Sequence, residues 1–227
     1  MNSREIVLKT LEYGEPERVA RSFHEPDMAW CENTAKTHAT SWKKVDDTRW
    51  ERIDEWGNVW ARIDPTSKGE VAKGVLEDTE DYDDYEFPDF SKPEDYQTVI
   101  ECKTRNPDKW IIGSMPGFTF NIARKLFRLE NYFVKLMLER DKIHRLHDRI
   151  DKVLIDMIQN YARAGVDSIM FAEDWGTQMQ TLISPKLWYE EFYPRFKRLC
   201  GVAHDCGIKV FMHSCGAIGA IIPGLMD

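Results

Sequence analysis

The chain has few cysteines and no long apolar run, and each of these shortages excludes a class of protein. Its five cysteines are odd in number and scattered, which does not fit a secreted domain held by disulfides. It contains no stretch of about 18 apolar residues, so the sequence predicts no membrane span, and no apolar signal-peptide segment follows Met1. A net charge of −8, from 39 acidic and 31 basic residues, disfavours a nucleic-acid partner. We therefore expect a reduced, cytoplasmic protein.

The second half of the chain alternates apolar runs with amphipathic segments. The runs at 110–113, 167–172 and 208–212 predict strands, and the helical spacing of apolar residues over 141–164 predicts a long helix that Gly165 ends. Alternation of strands and helices is typical of an α/β fold with a parallel sheet and right-handed crossovers. We count about five strand–helix units, which is enough for an open sheet and three short of an eight-unit barrel.

The first part of the chain is less regular. Residues 18–23 predict a short first strand that ends at His24. The segment 28–90 holds five of the eight tryptophans and a glycine turn, so it predicts hairpins. We interpret 28–90 as an excursion from one domain that spans 1–227, with the role of a lid.

His213 and Cys215 lie two positions apart at the end of the last predicted strand. Side chains alternate across a strand, so this imidazole and this thiol point the same way. Both groups are zinc ligands, although a zinc site needs one or two more protein ligands and none follows in the sequence. The alternative is a buried cysteine beside a hydrogen-bonded histidine, and a motif this short leaves both interpretations open.

Functional side chains of parallel α/β folds gather at the carboxyl ends of the strands. Glu173 and Asp174 directly follow the predicted strand over 167–172 and are candidate catalytic acids. Because successive residues face opposite ways, we expect one of the two to point into a pocket; the alternative is a carboxylate that caps the next turn. Residues at or near the other predicted strand ends are candidates for cofactor binding: His24, Met115, Trp175 and Gln178.

Several other polar residues have simpler explanations. Arg124 could hold a carboxylate or phosphate, although an arginine on a helix surface is the commoner case. His144 and His147 have charged neighbours, which favours a solvated helix face over a metal site. The remaining cysteines are expected to be ordinary and unpaired: Cys31, Cys102, Cys200 and Cys206.

Three segments taken in order resemble the uroporphyrinogen decarboxylase superfamily: residues 14–19, 173–176 and 213–216. The last, His-Ser-Cys-Gly, is typical of the branch that contains corrinoid-dependent methyltransferases. The resemblance implies a TIM-type (β/α)8 barrel with its pocket at the carboxyl ends of the strands. It also implies that His213 and Cys215 bind Zn²⁺ together with a further cysteine near a later strand, and this chain stops before that point.

The resemblance implies methyl transfer between a corrinoid protein and a thiol or an O- or N-methyl substrate, a reaction of one-carbon metabolism. Either the chain is a fragment of a longer protein, or another chain supplies the missing strands, or the site is defective. An open barrel exposes sheet edges and apolar helix faces, so we also expect homo-oligomers or association with another chain. The alternative is uroporphyrinogen decarboxylase itself, whose family pattern has an arginine-rich stretch where residues 22–27 here read Ser-Phe-His-Glu-Pro-Asp. Acids at that place would repel the carboxylate arms of a porphyrinogen. A third possibility is a non-catalytic or incomplete barrel.

Overall fold

The main sheet contains four parallel strands, and a second sheet of four antiparallel strands follows its first strand in the chain. The computed structural model describes all residues from 1 to 227. The strands, in chain order, are β1 (Met28–Cys31), β2 (Lys43–Asp46), β3 (Arg49–Ile53), β4 (Val59–Arg62), β5 (Glu70–Lys73), β6 (Trp110–Ser114), β7 (Ser168–Ala172) and β8 (Lys209–His213). The helices are α1 (Ser3–Leu11), α2 (Gln97–Arg105), α3 (Thr119–Leu126), α4 (Leu129–Leu138), α5 (Arg140–Ala164), α6 (Pro185–Leu187), α7 (Tyr193–Asp205) and α8 (Ile222–Met226).

The long helix α5 forms because one of its faces is continuously apolar. Ile143, Ile150 and Leu154 are fully buried members of that face, at the spacing that brings side chains onto one side of a helix. Gly165 ends the helix with φ of +89°, a left-handed conformation that glycine adopts without a steric penalty. The predicted helix over 141–164 is therefore confirmed to within one residue.

Helices cover one face of the main sheet in the order of its strands. The sheet order is β1-β6-β7-β8, and α2, α5 and α7 contact β1, β7 and β8 respectively. The buried core lies between the sheet and these helices and extends to Trp56, in the turn between β3 and β4. On the opposite face α1 covers a small apolar cluster around Val7 and Trp110. The α/β class with a parallel sheet is confirmed.

The main sheet is open, because β1 and β8 each pair with a strand on one side only. The structure thus contains four parallel strands where the sequence predicted about five, and it does not show a closed barrel. The predicted first strand at 18–23 is wrong. Those residues wrap around the buried carboxylate of Asp27, which accepts hydrogen bonds from the Arg18 guanidinium at 2.6 Å and from the backbone N–H of Arg21 at 2.8 Å. Met28–Cys31, which the sequence assigned to the tryptophan-rich excursion, forms the first strand instead.

The hairpins predicted within 28–90 are present as β2 to β5. Directly paired residues of an antiparallel sheet share a face, and the pairs Trp50–Arg62 and Arg52–Trp60 therefore place alternating cations and indoles together. The Arg52 guanidinium lies 5.1 Å from the centre of the Trp60 ring, within the range of a cation–π contact. This face of the second sheet is consequently basic and aromatic in a chain whose net charge is −8.

Two expectations about single residues are wrong. Cys31 and Cys102 form a disulfide with their Cα atoms 6.5 Å apart, because β1 and α2 pack against each other and bring two distant parts of the chain together. His147 is fully buried rather than on a solvated face. Its ring hydrogen-bonds Glu191 at 2.7 Å and the Tyr132 hydroxyl at 2.9 Å, so its charged neighbours in the sequence point elsewhere.

None of the helices combines the length and the apolar character that crossing a bilayer requires.

Candidate metal centre

The loops that follow β7 and β8 pack backbone to backbone at the carboxyl edge of the main sheet. The Gly176 N–H donates to the Cys215 carbonyl at 3.1 Å, and the Ala217 N–H donates to the Thr177 carbonyl at 2.7 Å. The Trp175 N–H donates to the hydroxyl oxygen of Ser214 at 3.0 Å. These bonds fix one loop relative to the other, so side chains on both loops hold defined positions.

Two facing glycines permit this close approach. A Cβ on Gly176 would lie 2.6 Å from the Cys215 carbonyl oxygen, and a Cβ on Gly216 would collide with the backbone of Gly176 and Thr177. Gly216 also has φ of +78°, a conformation that side chains with a Cβ rarely adopt. Glycine is therefore required after the Glu-Asp-Trp and His-Ser-Cys motifs, because a side chain at either position would keep the two loops apart.

Three potential metal ligands converge where these loops meet. His213 Nε2 lies 3.2 Å from Cys215 Sγ and 3.6 Å from Asp174 Oδ1. All three ligand atoms lie within 4.8 Å of one another. The side chains are accessible, with 52% of His213 and 38% of Asp174 exposed. The alternative of a buried core cysteine is wrong, because Cys215 is exposed.

The spacing of these atoms fits a tetrahedral zinc ion. Bonds of about 2.0 to 2.3 Å at tetrahedral angles place ligand atoms roughly 3.3 to 3.6 Å apart. The separations of His213 Nε2 from the other two ligand atoms, 3.2 and 3.6 Å, lie close to that range, and all three ligand atoms lie within 4.8 Å of one another. Three protein ligands at an accessible position are typical of catalytic zinc sites, which keep a coordination position for substrate or water.

Asp174 is tied to the loop that carries the other two ligands. Its Oδ1 accepts the backbone N–H of Cys215 at 2.9 Å. Burial opposes ionisation, but the hydrogen bonds from Cys215 outweigh it and lower the pKa of Asp174. The adjacent carboxylate conversely raises the pKa of the Cys215 thiol. A cation at this place would satisfy the carboxylate and favour the thiolate at once.

Glu173 points away from these ligands, as the alternation of side chains requires for one of the two acids. It is fully buried, and its carboxylate accepts the backbone N–H groups of Phe118 at 2.8 Å and Asn121 at 3.1 Å. These groups belong to the start of α3, where unpaired N–H donors and the helix dipole favour a negative charge. Burial nevertheless raises the pKa of Glu173 to about 7. The geometry therefore makes Glu173 a support for α3.

The four residues predicted to bind a cofactor are not brought to one place. Met115 is buried after β6 and lines a cavity of about 320 Å³ together with Glu32, Ser114 and Tyr161. Trp175 is fully buried, with its ring stacked on Phe120 at 4.2 Å, so it packs in the core.

Gln178 and His24 lie outside the ligand cluster. Gln178 is exposed in the turn that Thr177 and Gln180 close, next to the strand end at β7. His24 precedes β1 and therefore lies towards the amino edge of the parallel sheet, opposite to His213. Its predicted place at a strand end is wrong because residues 18–23 form no strand; it adopts φ of +44° in a bend.

One polar residue near the site was missed from the sequence. Asn121 holds the guanidinium of Arg124, with its Oδ1 accepting from Nε at 3.1 Å and from Nη2 at 2.8 Å. Its own backbone N–H binds Glu173. Nothing in the sequence indicates this link, because it depends on where α3 begins relative to β7.

The fold and this ligand cluster define a class: an α/β protein with a candidate metal site at the carboxyl edge of a parallel sheet. The sequence profile of the family described as uroporphyrinogen decarboxylase (URO-D) matches residues 62–227. The chain therefore belongs to the uroporphyrinogen decarboxylase family.

A structural relative agrees with this assignment at the level of the fold. A methyltransferase from Methanosarcina mazei superposes with a TM-score of 0.55 at 18% sequence identity, over 71% of this chain and 47% of that one. At this identity the likeness shows a shared fold, and the chain spans about half the length of that relative. No curated protein matches the chain.

Proposed function

We propose that this chain acts in zinc-dependent methyl transfer between a corrinoid protein and a small thiol or an O- or N-methyl substrate. The observation that carries the proposal is the convergence of Asp174, His213 and Cys215 at an accessible strand end. The family membership and a relative whose name is methyltransferase support the same reaction class. We place the reaction in the cytoplasm.

The donor set fits zinc in both chemistry and spacing. Imidazole, thiolate and carboxylate are three of the ligand types that zinc takes in proteins. Zinc held by these groups would lower the pKa of a coordinated substrate thiol, or act as a Lewis acid towards a methylated substrate. Asp174 then serves as a third protein ligand, a position for which the family resemblance implies a further cysteine.

The chain's own residues orient this site. The Cys215 N–H holds Asp174 Oδ1 at 2.9 Å, which keeps the carboxylate directed at the His213 ring. The two loops are locked by their backbone hydrogen bonds and by the facing glycines. The ligands are therefore close to their binding positions before the metal arrives, which reduces the entropy lost on binding.

The second sheet is the surface that we propose for the corrinoid protein. Lys68, in the turn between β4 and β5, is close enough to Cys215 for its positive charge to favour the thiolate. We propose that this sheet lies beside the candidate metal centre, where its face of arginines and tryptophans offers both charge and apolar area. In this position the segment 28–90 would act as a lid over the candidate metal centre or as the docking element for the corrinoid protein.

The first experiment measures metal content. We expect elemental mass spectrometry to find about one zinc per purified chain, as a single tetrahedral site requires, and to find the metal lost in Cys215→Ser and His213→Asn. Cys206→Ser is the matched control, because Cys206 is also exposed but lies at the end of α7, away from this edge of the sheet. Equal zinc in Cys215→Ser and wild type would contradict the proposal.

The second experiment measures the reaction. The zinc-loaded protein, mixed with a methylated corrinoid protein and a thiol, is expected to change the corrinoid absorbance in step with thioether formation. Conversion of uroporphyrinogen to coproporphyrinogen by the same preparation, with no methyl transfer, would instead support the decarboxylase.

A further inference from the structure

The part of the chain that carries the second sheet is closed at its base by the disulfide. Cys31 is the last residue of β1, and Cys102 lies in α2, 71 positions further along the chain. The strands β2 to β5 all lie between these two cysteines. The covalent bond therefore joins the point where the chain leaves the main sheet to the helix through which it returns.

Two hydrogen bonds continue this connection beyond the disulfide. The Thr98 hydroxyl donates to the Glu32 carbonyl at 2.8 Å, and the Thr34 N–H donates to the Asp95 carbonyl at 2.8 Å. The disulfide and these two hydrogen bonds form three successive links between the outgoing and the returning chain, which we call the stem. The disulfide is the covalent link of the stem.

The second sheet is attached to the main domain through few other groups. No residue of β2, β3, β4 or β5 is buried, and these strands contact mainly one another. Trp56 and Leu76, in the turns and at the end of the sheet, are the residues that reach the buried core. A segment with so few buried contacts opens more readily than the core does, so each link of its stem matters for its position.

The two sulfur atoms differ in their access to solvent. Cys102 is half-buried in α2, whereas Cys31 is buried beneath it. A reducing thiolate therefore attacks Cys102 Sγ and forms a mixed disulfide there, while Cys31 leaves as a thiolate and takes up a proton. A second thiol of the reductant then displaces Cys102. The products are two protein thiols and one external disulfide.

The pair is also set apart from the other cysteines. Cys200, Cys206 and Cys215 are free, although the last two are exposed. Disulfides of cytoplasmic proteins are usually transient or redox-sensing, because the thiol pool of that compartment reduces them. In the cytoplasm, where we place the reaction, a bond between Cys31 and Cys102 is therefore expected to form and break.

We propose that Cys31 and Cys102 are a reversible thiol–disulfide switch that controls how firmly the second sheet is held at the carboxyl end of β1. Oxidation by an external disulfide closes the stem covalently. Reduction by a dithiol leaves the two hydrogen bonds alone, so the stem opens more often. The switch goes beyond the proposed function and does not depend on a bound metal; under that function it makes the docking element respond to the redox state of the cell.

The first test measures whether the bond is reversible in the folded protein. Cys215→Ser is the background, because it removes the exposed thiol of the candidate metal centre and with it any competition between metal and reductant. The protein is equilibrated with mixtures of reduced and oxidised dithiothreitol, and free thiols are counted by alkylation and mass spectrometry. We expect two thiols to appear together, with one midpoint from both directions, as a two-electron couple requires. A bond that is reduced only after unfolding in denaturant would overturn the switch.

The second test measures the opening of the stem. Amide hydrogen exchange is compared between the oxidised and the reduced forms of the same protein. We expect exchange at residues 32–34 and in β2 to β5 to be about tenfold or more faster in the reduced form, because local opening no longer requires a covalent bond to be kept. Exchange in the central strand β7 is expected to be unchanged.

Three variants complete the test. Cys31→Ala and Cys102→Ser should each match the reduced protein whether or not reductant is present, because neither can form the bond. Cys200→Ala removes a free, half-buried cysteine of α7 and should respond to reductant as its parent does. Equal exchange at 32–34 in the oxidised and reduced forms would overturn the inference. An equal acceleration throughout the main sheet would also overturn it, since the bond would then stabilise the whole fold instead of the stem.

Discussion

At the scale of single residues, Asp174 is the group whose role the structure changes most. The sequence presents it as a candidate acid, and the structure places its Oδ1 3.6 Å from His213 Nε2 and within hydrogen-bond distance of the Cys215 N–H. Under the proposed function this accessible carboxylate, next to an imidazole and a thiol, binds the metal. Its contribution can therefore be measured as metal affinity.

We expect Asp174→Asn to weaken zinc binding by about tenfold or more, because a neutral amide oxygen is a poorer ligand than a carboxylate. Competition with a chromophoric chelator measures the affinity. Asp205→Asn, an exposed acid at the end of α7, should bind zinc as the wild type does. Unchanged affinity in Asp174→Asn would restrict the ligand set to His213 and Cys215.

Glu173 leads to a prediction about pH. Burial raises the pKa of its carboxyl group to about 7 in the folded protein, above the 4.5 of the free side chain. The folded state then binds the proton more tightly than the unfolded state. The stabilising contribution of the protonated carboxyl group is complete below the pKa of the unfolded state. It is lost as the pH rises through the pKa of the folded state. Between these two pKa values the free energy of unfolding falls by on the order of 3 kcal/mol.

Glu173→Gln should remove this component. The free energy of unfolding, measured in denaturant from pH 5 to pH 8, is expected to fall with rising pH more steeply in the wild type than in the variant. Burial lowers the pKa of His147, which acts in the opposite direction in both proteins and cancels in the difference. Glu12→Gln, an exposed acid just after the end of α1, is the control. Parallel pH profiles for Glu173→Gln and wild type would mean that Glu173 stays ionised.

At the scale of elements, the two loops at the strand ends depend on their glycines. We expect Gly216→Ala to reduce zinc affinity by about tenfold or more, because its Cβ would push the two loops apart and displace a ligand-bearing segment. Gly219→Ala is a matched control a few residues away, where a Cβ would meet no atom within 4 Å. Competition with a chelator measures the zinc affinity of both variants. Equal affinities in Gly216→Ala and Gly219→Ala would show that the two loops accommodate the added methyl group without loss of the site.

A buried ion network joins α5 to α7. Arg195 bonds Asp148 at 2.7 Å, Asp151 at 2.8 Å and Glu191 at 3.2 Å. Arg195→Met should lower the free energy of unfolding by about 3 to 5 kcal/mol, because it leaves the buried carboxylate of Glu191 without its arginine, while Asp151 keeps its ion pair with Arg198. Lys197→Met, on the exposed side of the same helix, should change it by about 0.5 kcal/mol or less. Denaturant titration compares the two, and similar losses would mean that water or rearrangement replaces the guanidinium.

The sequence predicts well those elements whose residues repeat with a regular period. The apolar spacing of α5 and the apolar runs of β6, β7 and β8 indicate their positions to within a few residues. The prediction of a strand at 18–23 fails, because the hydrogen bonds from Arg18 and Arg21 to Asp27 are specific contacts that no periodicity in the sequence reveals. His24 was misplaced for the same reason.

The candidate site was predictable in part. Side chains alternate in direction along an extended chain, so His213 and Cys215 point the same way at the end of β8. The same alternation makes Glu173 and Asp174 point in opposite directions after β7. The place of Asp174 as a third ligand and the link through Asn121 depend on how two loops and a helix meet, which is tertiary information. The pairing of Cys31 with Cys102 depends on the same kind of information.

At the scale of the whole molecule, the open sheet leaves two strands with an unpaired edge. β8 pairs with β7 on one side and with no strand on the other, and β1 is the opposite edge. Unpaired strand edges favour association with another chain. We therefore expect the apparent mass, from light scattering coupled to size exclusion, to exceed that of one chain and to fall on dilution. A concentration-independent monomer with a cooperative thermal transition would contradict this expectation.

The candidate ligands also come from a short part of the chain, since Asp174 and Cys215 are 41 positions apart and belong to neighbouring strands. A bound ion would therefore act as a reversible cross-link that closes this loop and ties the edge strand to the rest of the sheet. Its removal would leave the global fold in place while β8 opened more often. The rate of amide hydrogen exchange in β8 would then report metal occupancy without any substrate.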